Sequence, residues 1–74
     1  MSQAKGMSEL DLEIAAVKFL LESFAIAENE VSRNNILREN FGVPYLKTYF
    51  GFSKEILQNI LLQLQKKKEH LLQL

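Results

Sequence analysis

The sequence predicts an all-α fold: a small four-helix domain with a long C-terminal helix. Three observations predict it. Apolar residues recur at three- and four-residue intervals near both ends of the chain, and nothing alternates with period two over a useful length. Capping residues or glycines fall where each periodic stretch begins or ends. The chain has 74 residues, 47% hydrophobic and 24% charged, enough for a single domain, expected over 8–74. Residues 1–7 are polar, contain Gly6 and lack periodicity, so they read as a disordered tail.

The first helix is expected over about residues 9–27. Ser8 reads as its N-cap and Asp11 as the acid of a capping box. Glu9, Asp11 and Glu13 lie in the first turns, where the helix dipole favours negative charge. Leu10, Ile14, Val17, Leu21 and Phe24 form one stripe, with Ala15, Ala16, Leu20, Ala25 and Ala27 adding apolar surface around it. Glu28, Asn29 and Glu30 break the pattern and read as a turn. Ser32 then caps a short second helix through Asn40, with Ile36, Leu37 and Phe41 apolar and Val31 as a staple before the cap.

Gly42 is placed just past that helix, where a left-handed residue is wanted. Val43 precedes a proline and is pushed toward extended geometry. Pro44 suits the first position of a third, very short helix carrying Tyr45, Leu46, Tyr49 and Phe50, which Gly51 stops. Ser53 caps the last helix, expected over 54–72, with Glu55 in its first turn. Leu57, Ile60, Leu61, Leu64, Leu71 and Leu72 lie along one side of it over about five turns.

Composition excludes several classes of function. With no cysteine there is neither a disulfide nor a thiolate metal site. His70 is the only histidine and has no acid at ligand spacing, so no metal and no cofactor is expected. Glu9 and Glu13 share a helix face, but an exposed first turn does not shift a carboxylate into the range of acid–base catalysis, and Gly42 and Gly51 are isolated stops rather than a phosphate loop. The chain therefore reads as a non-enzyme. The longest apolar runs, Ile14–Val17 and Phe24–Ala27, are four residues each, which excludes a membrane span, and Asp11 and Glu13 interrupt any signal-peptide core. A cytoplasmic location is expected.

The formal net charge is zero, yet residues 1–30 carry an excess of four negative charges and residues 31–74 an excess of four positive ones. Such asymmetry fits a basic face for nucleic acid, and equally fits two halves that attract each other within a chain or head to tail.

Residues 33–50 have the outline of helix, glycine turn, short helix, which gives the fold a helix-turn-helix-like centre. In a DNA-reading arrangement the second of these helices turns side chains toward base edges while its neighbours hold phosphates. Tyr45, Lys47 and Thr48 are the candidates for base or phosphate contact from Pro44–Phe50, and Arg33, Arg38 and Lys54 for fixing position on the backbone. The plainer alternative is that two short helices close a four-helix core.

Further residues carry a resemblance to a known family. The first helix ends in Phe24, Leu37 is a buried aliphatic of the second, the turn reads Gly42-Val43, Tyr49 and Phe52 follow, and Lys54-Glu55-Ile56-Leu57 opens the fourth helix. In these features residues 17–57 resemble the DNA-binding domain of TetR-type repressors, departing from its pattern at Phe41 and Pro44. The resemblance implies a transcriptional regulator in which Tyr45, Lys47, Thr48 and Tyr49 face double-stranded DNA and Lys54 touches phosphate.

The last helix carries a second signal. Leu57, Leu61, Leu64, Lys68 and Leu71 follow a four-three spacing like a coiled-coil seam. Lys66, Lys67 and Lys68 fan over about 200° of the helix, so Lys68 points toward the apolar side, as if the helix outran its core near residue 65. The three lysines neutralise phosphates, or simply solvate a helix end. Leu57, Leu61, Leu64 and Leu71 are accordingly expected to form a homodimer or partner interface. The reading that competes with a DNA-binding regulator is thus a helical protein–protein interaction module, an adaptor or inhibitor acting through this stripe.

Overall fold

The computed structural model describes the backbone of residues 2–73 and the side chains of residues 8–73; Met1 and Leu74 lie outside it. Four helices follow one another: α1 (Ser2–Ile26), α2 (Glu30–Glu39), α3 (Leu46–Tyr49) and α4 (Lys54–Leu72). The fold is all-α, as the periodicity predicts, and there is no strand among the described residues.

α1 is the organising element. It packs along the length of α4 and also touches α2 and α3. The α1–α4 pair is antiparallel: Asp11, early in α1, meets Lys68, late in α4, while Leu57 from the first turn of α4 joins Ala16, Val17 and Leu20. Each of the other helices contributes one fully buried leucine to this cluster, Leu37 from α2, Leu46 from α3 and Leu57 from α4. Of the predicted stripe, Leu10, Ile14 and Val17 are buried, and Leu21 and Phe24 are half-buried at its edge. A ring of aromatics closes the core, with Phe41 edge-on to Phe50 and Tyr49 edge-on to Phe52.

Several boundaries differ from expectation, each for a local reason. α1 starts at Ser2, so Ser8 lies inside the helix and does not cap it, and the tail expected over 1–7 is helical from Ser2. Gln3, Ala4, Lys5 and Met7 are good helix formers, and their propensity outweighs the cost of Gly6, about 1 kcal/mol. α2 starts before Ser32 because Asn29 is the cap: its side-chain oxygen accepts from the Ser32 N–H at 2.9 Å. Asn caps as well as Ser does, and Glu30 then occupies the favourable first turn.

The left-handed residue of the second turn is Tyr45 (φ 69°), not Gly42; no described glycine has positive φ. Pro44 is consequently separated from α3 by a residue that no helix contains, and the expected Pro44–Phe50 helix shrinks to the single turn Leu46–Tyr49. α4 matches its prediction: the Ser53 hydroxyl accepts from the Ile56 N–H at 3.3 Å, and Glu55 sits in the first turn.

Candidate interaction surfaces

The sequence points two sets of side chains outward, and the fold treats their members differently. Arg38, Lys47, Thr48 and Lys54 are exposed, Lys47 and Thr48 on the one turn of α3 and Lys54 at the start of α4. Tyr45 is half-buried beside Glu9, Glu13 and Leu71 in a shallow groove. Tyr49 is half-buried and turns inward: its hydroxyl donates to the Glu13 carboxylate of α1. Burial, reinforced by that hydrogen bond and by the nearby negative charge of Glu13, pushes the Tyr49 phenol up to about 12.

Arg33 also faces inward. It is only 9% exposed. Its Nε donates to Ser23 Oγ at 2.8 Å, and that hydroxyl donates in turn to the Leu20 carbonyl. The guanidinium carbon lies 3.6 Å from the centroid of the Phe24 ring, a cation–π contact. One nitrogen, Nη2, is buried without a partner. Burial lowers the Arg33 pKa, while the charge of Glu30 acts the other way. The basic residue expected to hold a phosphate therefore ties α2 to the end of α1 instead.

The leucine seam of α4 is likewise used inside the chain. Leu57 is fully buried, Leu61 and Leu64 pack against the core cluster, and Leu71 is half-buried in the groove it shares with Leu10. Lys68 points to the apolar side as expected, but there it meets Asp11 at 2.6 Å rather than empty surface. α1 covers this seam, while Ile56, Leu62 and Leu72 of the same helix stay exposed. Of the alternatives for the charge asymmetry, the structure holds attraction between the acidic and basic halves at this pair.

α1 carries open apolar surface as well. Leu12 is 44% and Ile26 63% exposed. Ala15 is exposed and Phe19 half-exposed between them. At 3.6 residues per turn these four fall within about 60° of one another, on the side turned away from the buried stripe. α1 is thus apolar beyond the face that carries its buried stripe, with Phe19 packed in part against the core cluster. The sequence signal for this second stripe is the seven-residue interval Leu12, Phe19, Ile26, with Ala15 and Glu22 between. Lys18 and Glu22 flank it and are exposed. The sole ion pair among the described residues is Asp11–Lys68, so both flanking charges are unpaired.

The overall shape leaves room for such a face. The radius of gyration is 13.4 Å, with extents of 42 × 23 × 16 Å, against about 11 Å for a compact chain of this length. Compared with protein-family models, curated proteins and solved structures, the chain matches none.

Proposed function

We propose that the chain is a helical protein–protein interaction module that works in the cytoplasm and presents the outward face of α1. The observation that carries this reading is the stripe of exposed Leu12, Ala15 and Ile26, with half-buried Phe19 among them, on the helix that organises the fold. A contiguous apolar stripe on so small a protein lowers solubility unless something covers it. On α4, by contrast, Leu57, Leu61 and Leu64 are taken up by the core. The experiment is a photo-crosslinking residue placed at Ala15 in cells. Crosslinks to protein at this position and none from an equivalent residue at exposed Gln63 support it. Absence of any adduct at Ala15 removes it.

A second reading, a helix-turn-helix DNA-binding regulator of TetR type, is favoured by one observation. Arg38, Lys47, Thr48 and Lys54 are exposed and free of ion pairs among the described residues. Against it stands the shortness of α3, about 6 Å of helix at 1.5 Å per residue, with Leu46 and Tyr49 turned inward. Fluorescence polarisation against a random-sequence duplex separates the readings. Binding that falls steeply with salt and weakens in Lys47→Ala supports DNA recognition; no binding at low salt excludes it.

A further inference from the structure

We propose that the α1 face is occupied by a second copy of this chain, the two α1 helices packing antiparallel about a two-fold axis. The inference rests on the interaction reading above and names its partner.

Charge selects both the occupant and the direction. Leu12, Phe19 and Ile26 at seven-residue intervals, with Ala15 and Glu22 at the intermediate positions, define a seam of the kind two helices share. In a parallel pair each residue of the seam meets its own copy, so Glu22 would stand against the partner's Glu22, two carboxylates in one layer. Reversing one helix separates them. With Ala15 set against the partner's Ile26, Lys18 comes within one residue of the level of the partner's Glu22, and the two-fold axis repeats both contacts. Antiparallel helices bring like flanks together, and Lys18 and Glu22 lie on the same flank of the stripe, so the pairing is self-complementary. Asp11, the other acid on that flank, is already neutralised by Lys68 of its own chain. The large Ile26 side chain over the small Ala15 lets the helices approach closely. The copies carry no net charge to oppose association. In this register the two helices overlap from Ala15 to Ile26, about 17 Å at 1.5 Å per residue, with Leu12 opposite the turn that follows the partner's α1, and an isologous contact of this kind closes at two subunits.

The test is sedimentation equilibrium of the full chain across micromolar concentrations, with circular dichroism to check folding. The wild type is expected to approach twice the monomer mass of 8.5 kDa. Ile26→Lys and Ala15→Arg, at exposed positions, are expected to stay helical and weaken association at least tenfold. Lys18→Glu and Glu22→Lys are each expected to weaken it as well, because each creates two like-charge contacts. Mixed together, these two single variants form only attractive contacts: the two substituted side chains face each other with opposite charge, and so do the two native ones, Glu22 of the first variant and Lys18 of the second. They are therefore expected to associate with each other more tightly than either does with itself. A wild type that stays monomeric throughout overturns the proposal; if Ala15 still crosslinks to another protein in cells, the interaction reading stands and only the second copy is lost. A dimer indifferent to Ile26→Lys, or charge variants that do not rescue one another, also overturns it.

Discussion

Arg33 of α2 and Ser23 of α1 are joined across 2.8 Å in the interior, the guanidinium Nε donating to the hydroxyl. Ser23 is fully buried, and its own proton goes to the Leu20 carbonyl. The hydroxyl therefore has one task that no apolar residue can take over: it is the acceptor for a charged donor removed from water. Ser23→Ala is expected to destabilise the fold by about 1–3 kcal/mol, since it leaves a second guanidinium nitrogen beside Nη2 without a partner. Arg33→Met is expected to be milder than Arg33→Ala. It keeps a long stem against Phe24 while removing the buried charge altogether. Urea midpoints decide the matter, and equal losses for Met and Ala would mean that packing on Phe24 contributes nothing.

The Tyr49–Glu13 contact makes stability depend on alkaline pH. The phenol normally titrates near 10.0 and is raised to about 12 in the fold, by burial first and by Glu13 second. Below pH 10 folded and unfolded chains both hold the proton, and the stabilisation is complete. Between about 10 and 12 the unfolded chain releases its proton while the folded chain keeps it, so stability falls as pH rises through that window. An ultraviolet titration should show an upper tyrosinate step that vanishes in Tyr49→Phe. In Glu13→Gln the step should move down without reaching the ordinary phenol value, because burial remains. An upper step surviving Tyr49→Phe would contradict the assignment.

How far the sequence discloses these features depends on the range of the interaction behind each. α4 is legible because Ser53, Glu55 and the leucine spacing are local signals that agree. The start of α1 is obscured because Ser8 and Asp11 imitate a capping box, while the helix-forming residues before them continue the helix. The inward turn of Arg33 has no local sign: its partner lies ten residues away on another helix, and a lone arginine on a polar helix reads as surface. The same holds for Tyr49 and Glu13, thirty-six residues apart. The spacing along α4 identifies its apolar seam but not what covers it, since the cover, α1, is distant in sequence. The outward stripe of α1 is written in the interval Leu12, Phe19, Ile26, but a stronger stripe on the opposite side of the same helix masks it.

The second turn makes a prediction that runs against residue type. Gly42 does not use its freedom: its φ is not positive, and a Cβ there would meet nothing within 4 Å. Tyr45 does adopt the left-handed conformation, at φ 69°. Gly42→Ala is therefore expected to stabilise the protein by about 0.4–1 kcal/mol through the unfolded chain. Tyr45→Val is expected to destabilise it by more than about 1 kcal/mol, because a β-branched residue fits the left-handed region worst. Thermal midpoints of the two variants should move in opposite directions; a loss in Gly42→Ala would show that the turn needs glycine after all.

The Asp11–Lys68 pair closes the antiparallel α1–α4 contact at 2.6 Å, yet its side chains keep 52% and 38% of their exposure. Water and salt screen such a pair, so it is expected to contribute no more than about 1 kcal/mol. A fully buried core leucine contributes more: Leu20→Ala removes a side chain with no exposed surface and is expected to cost about 2–5 kcal/mol. The two effects separate by salt. Lys68→Gln should lie slightly below the wild type in dilute buffer and converge with it at high ionic strength, where the Debye length shrinks to about 3 Å at 1 M. Leu20→Ala should keep its full deficit at every salt concentration. If the Lys68→Gln deficit also persisted in high salt, the lysine would be acting through its aliphatic stem among the neighbours of Leu64 and Leu71, and the attraction between the acidic and basic halves would be incidental to how α1 and α4 stay together.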